Sequence, residues 1–206
     1  MTEDEWLRCE HPLRLLESIQ ASNQRKLRAF AVACCRRILS FIDDSRMIAA
    51  LDSAEQFLDG KVSSNLLAEH HRAASGSYDV VKHEQAWTAI WCASRPDVGW
   101  NVSSHAVQVL EFEKWDSESS AHCDLLRDIF GNPFRPVTLD PAWLTSNVLA
   151  LARGIYDERA FDRMPILADA LQDAGCENDD VLNHCRDDKQ VHVRGCWVVD
   201  LLLGKG

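Results

Sequence analysis

Residues 23–42 read NQRKLRAFAVACCRRILSFI, and their apolar side chains recur every three or four positions. That spacing places them on one face of an α-helix, while the basic side chains fall on the opposite face. Ser22 or Asn23 can cap such a helix at its N-terminus. The stretch therefore predicts one long amphipathic helix with a buried face, formed by Leu27, Phe30, Ala31, Cys34, Ile38, Phe41 and Ile42.

The same periodicity continues on both sides of this stretch. Thr2 and Glu5 form a T-x-x-E capping box, and Asp43, Asp44 or Ser45 can cap the helix that follows residue 42. Towards the C-terminus, helical patterns cover about 146–158, 163–174, 179–186 and 193–203. Alternating strand patterns are nearly absent. We predict an all-α fold, a multi-helix bundle or a pairwise-stacked array of roughly nine to eleven helices.

Two stretches interrupt the helical pattern. The segment GNPFRPVTLDPAW, residues 131–143, is rich in proline and predicts a non-helical connector with Phe134 in the core. The polar run DSESS, residues 116–120, predicts a break before a helix that starts at His122. We expect an N-terminal region 1–116 and a C-terminal lobe 117–206. The alternative is one continuous domain, 1–206.

Composition narrows the class of protein. The 206 residues carry a formal net charge of −10, which disfavours binding to nucleic acid. No apolar run is long enough to span a bilayer, and no leader pattern opens the sequence, so we expect a cytoplasmic protein. In that reducing compartment the eight cysteines are thiols or metal ligands. Three of them have apolar neighbours and are expected to fill the core: Cys34, Cys35 and Cys92.

The last 32 residues, GCENDDVLNHCRDDKQVHVRGCWVVDLLLGKG, concentrate cysteine and histidine. Zinc prefers four tetrahedral nitrogen and sulfur ligands. One candidate ligand set is Cys176, Cys185, His192 and Cys196, with His184 as a substitute for Cys185. On a helix, His192 and Cys196 would share a face. The alternative is three cysteines in the core and two histidines on the surface.

Three further groups of residues are candidate sites, and in each a structural role is favoured. They are a histidine–glutamate group on two helices, a set of tryptophans that could stack on a ligand, and an acid–arginine run. The histidine–glutamate group consists of His70, His71, His83 and Glu84. The tryptophans are Trp87, Trp91 and Trp100, and the acid–arginine run covers residues 156–163. The spacing of the first group matches no metal motif, and core packing of tryptophan is far commoner than stacking on ligands.

TEDEWL lies near the start of the sequence, RKLRAFAVACCRRI follows it, and RDIFGNPFRP and HVRGCWVVDLLLGK lie towards the end. These four stretches resemble an uncharacterised family of bacterial proteins found in planctomycetes. The resemblance covers both ends of the chain, and residues 60–118 diverge. The resemblance implies a helical protein of bacterial origin, and it brings no catalytic residue or ligand with it.

No motif of a known catalytic class occurs in the sequence. We therefore expect a non-catalytic, cytoplasmic helical module that binds another protein, uses no cofactor and does not associate with membranes. The alternative is a metalloprotein with a structural zinc site in the C-terminal lobe.

Overall fold

A computed structural model describes residues 1–19, 23–77, 84–95 and 115–205. In these ranges the chain forms eleven α-helices and no β-strand, which confirms the predicted all-α fold. The sequence pattern also predicts a helix from about Val102 to Trp115, and all of that stretch except Trp115 lies outside the described residues. The helices, numbered α1 to α11 in chain order, are Glu3–Arg8, Pro12–Ser18, Gln24–Arg37, Ser45–Phe57, Ser64–Ser75, Glu84–Ala93, Trp115–Phe130, Ser146–Glu158, Met164–Asp173, Asp179–Arg186 and Trp197–Leu203.

The chain divides into two compact units, Met1–Leu126 and Arg127–Gly206. The boundary lies near the C-terminal end of α7, whereas the sequence-based boundary lies at residues 116 and 117, near the N-terminal end of that helix. Among the described helices, none combines the length and the apolar character that crossing a lipid bilayer requires.

In the N-terminal unit, α3 packs against α4 and α6, and α4 packs against α5. The predicted caps are present: Thr2 and Glu5 form the capping box of α1, and Asn23 caps α3 through the backbone N–H of Lys26. However, α3 ends at Arg37, and a short 3₁₀ helix, Leu39–Phe41, follows it. The prediction of one continuous helix to residue 42 is wrong in this detail, because a 3₁₀ turn continues the i, i+3 spacing of apolar residues.

The predicted break at 116–120 is also wrong, because this polar run lies inside α7. Glu118 makes a bidentate ion pair with Arg37, at 2.5 and 2.9 Å, and lies 3.2 Å from Nε2 of the buried His122. Burial alone would raise the pKa of Glu118, but hydrogen bonds from His122 and Arg37 outweigh it and lower that pKa to about 2. The ion pair of Glu118 with Arg37 therefore connects α7 to α3, and the polar run 116–120 does not form a turn.

In the C-terminal unit, α8 packs against α9 and α11, and α9 packs against α10. The connector after α7 is non-helical as predicted, apart from a 3₁₀ turn, Pro141–Trp143, that Asp140 caps. Phe134 is 43% exposed, so its predicted place in the core is wrong. The apolar core of this unit instead includes Trp143, Ile155, Leu171 and Val198.

Gly131, directly after α7, has a positive φ, and an added side chain there would lie in tight contact with a neighbouring ring. Its φ is +71°, and a Cβ atom there would lie 3.2 Å from Cγ of Trp197. Gly175 also has a positive φ, +86°, but a Cβ atom there would meet no atom within 4 Å. The two glycines therefore form a matched pair with and without a steric conflict.

We expect Gly131→Ala to lower the free energy of unfolding by about 2–4 kcal/mol, since left-handed strain and a clash add together. Gly175→Ala, which carries the strain alone, is expected to cost about 1–2 kcal/mol. Urea unfolding of both variants against the parent protein measures the difference. Equal losses would show that the Trp197 indole ring can move aside without cost.

Candidate metal centre

Four polar side chains from three segments of the C-terminal unit meet at one point. Asp128 lies in the last turn of α7, His184 in the last turn of α10, His192 in the loop that follows, and Cys196 directly before α11. One carboxylate oxygen, one nitrogen from each ring and the Cys196 sulfur all lie within 4.8 Å of one another. We refer to these four residues as the centre.

Asp128 is completely buried and accepts hydrogen bonds on both oxygens. Its Oδ1 lies 2.7 Å from Nδ1 of His192 and 3.3 Å from Nε2 of His184, and its Oδ2 accepts from the backbone N–H of Val193 at 2.9 Å. Burial would raise its pKa, but hydrogen bonds from the two histidines outweigh burial and lower the pKa below its usual value. The centre therefore holds an ionised carboxylate.

Cys196 supplies the sulfur of the centre. Its Sγ lies 3.3 Å from Nε2 of His184 and 3.8 Å from Nδ1 of His192. The side chain is fully buried, and burial together with the negative charge of Asp128 raises its pKa well above the usual value. Without a cation in the centre, Cys196 is therefore a neutral thiol.

A turn, and not a helix, brings His192 and Cys196 together. The predicted helix 193–203 begins only at Trp197, and the backbone N–H of Cys196 donates to the carbonyl of Val193 at 2.9 Å. Gly195 makes this turn feasible with a φ of +99°. The expectation that the two residues share a helical face is thus wrong, although the turn still directs both side chains to the same point.

The two histidines of the centre are held by their neighbours. Their rings lie 4.8 Å apart, nearly perpendicular, and the His184 ring also lies 5.2 Å from the Trp197 indole. Their side chains are only 10% and 5% exposed for His184 and His192, so the alternative of two surface histidines is wrong. Trp197 is thereby a fluorescent side chain in direct contact with the centre.

The sequence-based ligand set divides in two. His192, Cys196 and the substitute ligand His184 belong to the centre, whereas Cys176 and Cys185 are buried in the apolar core of the unit. Cys185 packs on the same side of α10 as Val181 and Leu182, and burial raises its pKa to about 12. His184 and Cys185 are adjacent on a helix, so only one of them can face the centre.

Asp128 is the member of the centre that sequence reasoning missed. It lies 64 residues before His192, inside an ordinary amphipathic helix, with no other candidate ligand of the centre nearby in sequence. Its sequence signal is weak, because it is a single acidic residue near the C-terminal end of a helix. A basic side chain would stabilise the helix dipole better at that position. Its role follows only from the three-dimensional packing.

The described members of the three other candidate groups contact neighbouring side chains and backbone groups. Within the described residues, His70 and His71 belong to no cluster of three potential ligands, and His71 Nδ1 lies 3.0 Å from Ser94 Oγ. The rings of Trp87 and Trp91 are stacked 5.8 Å apart, and their indole N–H groups donate to residues 74, 75 and 77. Arg163 pairs with Glu158 at 2.9 Å. His83 and Trp100 lie outside the described residues.

No protein-family model, curated protein or solved structure matches the chain. The resemblance to an uncharacterised bacterial family therefore stays a prediction, and the geometry of the centre carries the functional argument.

Proposed function

We propose that the C-terminal unit is a metal-binding module that holds one structural zinc ion. The ligands are a carboxylate oxygen of Asp128, Nε2 of His184, Nδ1 of His192 and Sγ of Cys196. The observation that carries this proposal is the convergence of four such atoms within 4.8 Å in a buried place. A mixture of imidazole, thiolate and carboxylate ligands is typical of zinc among the common divalent ions.

The spacing of the ligand atoms fits a tetrahedral zinc ion. With Zn–N bonds of about 2.0–2.1 Å and Zn–S bonds of about 2.3 Å, neighbouring ligands lie about 3.3–3.6 Å apart. The distances from His184 Nε2 to Cys196 Sγ and to Asp128 Oδ1 are both 3.3 Å, and His192 Nδ1 lies 3.8 Å from the sulfur. The 2.7 Å hydrogen bond between Asp128 and His192 would have to lengthen, and the separations above 3.6 Å, which reach up to 4.8 Å, would have to shorten.

A cysteine, two histidines and an aspartate could also suggest a nucleophilic thiol, but the geometry opposes that function. In a catalytic relay, the acid and the nucleophile contact opposite nitrogens of one imidazole ring. Here Asp128 and Cys196 approach the same nitrogen of each ring, Nε2 of His184 and Nδ1 of His192. The raised pKa of the buried Cys196 thiol also disfavours a nucleophile.

A structural ion is favoured over a catalytic one, because catalytic zinc keeps a coordination position open for water or substrate. Four protein ligands fill a tetrahedron. They come from α7, from α10 and from the loop between α10 and α11, so one ion would join three segments of the C-terminal unit.

The test is the metal content of the untagged, purified chain. We expect about one zinc ion per chain by elemental analysis, and an increase in the thermal unfolding midpoint when zinc is returned to chelator-treated protein. A ligand present at 100 times its Kd adds about 2.7 kcal/mol of stability. A folded, metal-free protein that takes up no zinc, cobalt or nickel would refute the proposal.

The sequence-based expectation of a protein-interaction module stays a prediction. The exposed large hydrophobic residues are distributed over both units, among them Leu7, Leu66, Phe134, Ile166 and Val191. Single exposed hydrophobic residues are normal on protein surfaces and do not by themselves indicate a docking site.

A further inference from the structure

A cavity of about 290 Å³ lies beside the centre, and His192 belongs to both. Three exposed carboxylates line this cavity: Asp162 from the short 3₁₀ helix before α9, and Asp187 and Asp188 from the turn after α10. We refer to it as the acidic cavity. Its lining has no lysine or arginine among the described residues, so a cation is the charge that its three carboxylates would attract.

His192 has one ring nitrogen engaged and one that is not. Asp128 is ionised and can only accept, so Nδ1 of His192 carries the proton of their 2.7 Å hydrogen bond. Nε2 lies on the other side of the ring. It is buried, in a side chain only 5% exposed, and has no hydrogen-bond partner within the described part of the chain. Buried polar atoms without a partner are rare in folded proteins.

This arrangement is that of a histidine prepared to bind a cation on its outer side. Histidine ligands of metals usually donate their other N–H to a carboxylate, which fixes the tautomer and the orientation of the ring. Asp128 does this for His192. The acidic cavity provides carboxylate oxygens that could complete the coordination of an ion at Nε2.

We propose that the acidic cavity is a loading site through which a divalent cation enters the centre. This inference rests on the proposed function. His192 belongs both to the lining of the cavity and to the centre. A cation held by the carboxylates of the cavity therefore lies next to a ligand of the centre, and a rotation of the His192 side chain is the only movement that the ligand itself would need to make.

The experiment compares two variants that lose the same charge. In the first, the cavity carboxylates are neutralised by Asp162→Asn, Asp187→Asn and Asp188→Asn. In the control, three exposed acids elsewhere in the unit are neutralised by Asp157→Asn, Asp173→Asn and Glu177→Gln. Cobalt(II) is mixed with metal-free protein, and the thiolate-to-cobalt charge-transfer absorption of Cys196 is followed in time.

We expect the cavity variant to take up cobalt at least about tenfold more slowly than the control, with the same final amount bound. Release to a chelator should slow by a similar factor, because entry and exit use the same route. For the unmodified protein, the uptake rate should fall as ionic strength rises, which tests the inference even if the cavity variant folds poorly.

Three outcomes would overturn the inference, and they differ from one another. Equal uptake rates in the cavity variant and the control would remove the loading site and leave the metal centre intact. Loss of bound cobalt at equilibrium in the cavity variant would mean that the carboxylates are ligands of the final site. If the unmodified protein binds no cobalt at all, the proposed function itself fails.

Discussion

Cys196→Ser is expected to abolish tight metal binding, whereas Cys185→Ser is expected to leave it unchanged. Both sulfurs are completely buried in the same unit, and they belong to residues eleven positions apart in sequence, so the two substitutions make the same chemical change. Only the Cys196 sulfur lies among the ligand atoms of the centre. This pair therefore separates the loss of a ligand from the loss of a buried thiol.

Loss of a residue that hydrogen-bonds to a metal ligand, without itself binding the metal, typically lowers metal affinity about 10–100-fold. Since Cys196 would supply the thiolate itself, we expect its replacement to lower zinc affinity by more than about 100-fold and to remove the thiolate-to-cobalt absorption. Cys185→Ser should retain both, although a hydroxyl group in an apolar core costs about 1–3 kcal/mol of stability. Competition titration against a chromophoric chelator measures both affinities.

The opposite result would favour the ligand set inferred from sequence, in which Cys176 and Cys185 bind the ion. Equal affinity losses in both variants would show that the metal-bound arrangement draws α10 into a different orientation. Unchanged affinity in both would exclude sulfur coordination. Circular dichroism of the metal-free variants separates a loss of affinity from a loss of folding.

The helices could be predicted from sequence largely because their ends carry local signals. Thr145 and Asn178 cap α8 and α10, and both helices have the predicted bounds. The errors occur where the same local sequence pattern is compatible with two different structures. The polar run 116–120 is typical of a loop, but Glu118 is paired with Arg37, whose position 81 residues earlier in sequence no local pattern reveals.

The same limit applies to the centre. Helical geometry makes His184 and Cys185 mutually exclusive, and the apolar residues Val181 and Leu182 assign Cys185 to the core, so this choice could have been made from sequence. Asp128 could not, because a buried acid and an exposed acid look alike in a helix without the tertiary contacts that bury it. His184, His192 and Cys196, which lie close together in sequence, could therefore be predicted as ligands. Asp128 could not.

Asp128→Asn is expected to destabilise the metal-free C-terminal unit by about 3–5 kcal/mol, the usual cost of removing one partner from a buried ionic pair. The carboxylate accepts from His192 and from the backbone N–H of Val193. An amide of the same shape has one acceptor oxygen, so its NH₂ group must face one of these donors. Asp173→Asn makes the same change at an exposed position and is expected to cost less than about 0.5 kcal/mol.

Urea unfolding in the presence of a chelator measures both variants, with Trp197 fluorescence as a local signal and Trp197→Phe to identify its contribution. Because the Asp128 pKa is lowered in the folded protein, the carboxylate stabilises the fold above its unfolded pKa, and that contribution is lost as pH falls through the lowered value. The difference between the parent and Asp128→Asn should therefore shrink in acid. If the two aspartate variants unfold at the same urea concentration at neutral pH, Asp128 does not hold the loop before α11, and the centre would depend on the metal ion alone for its order.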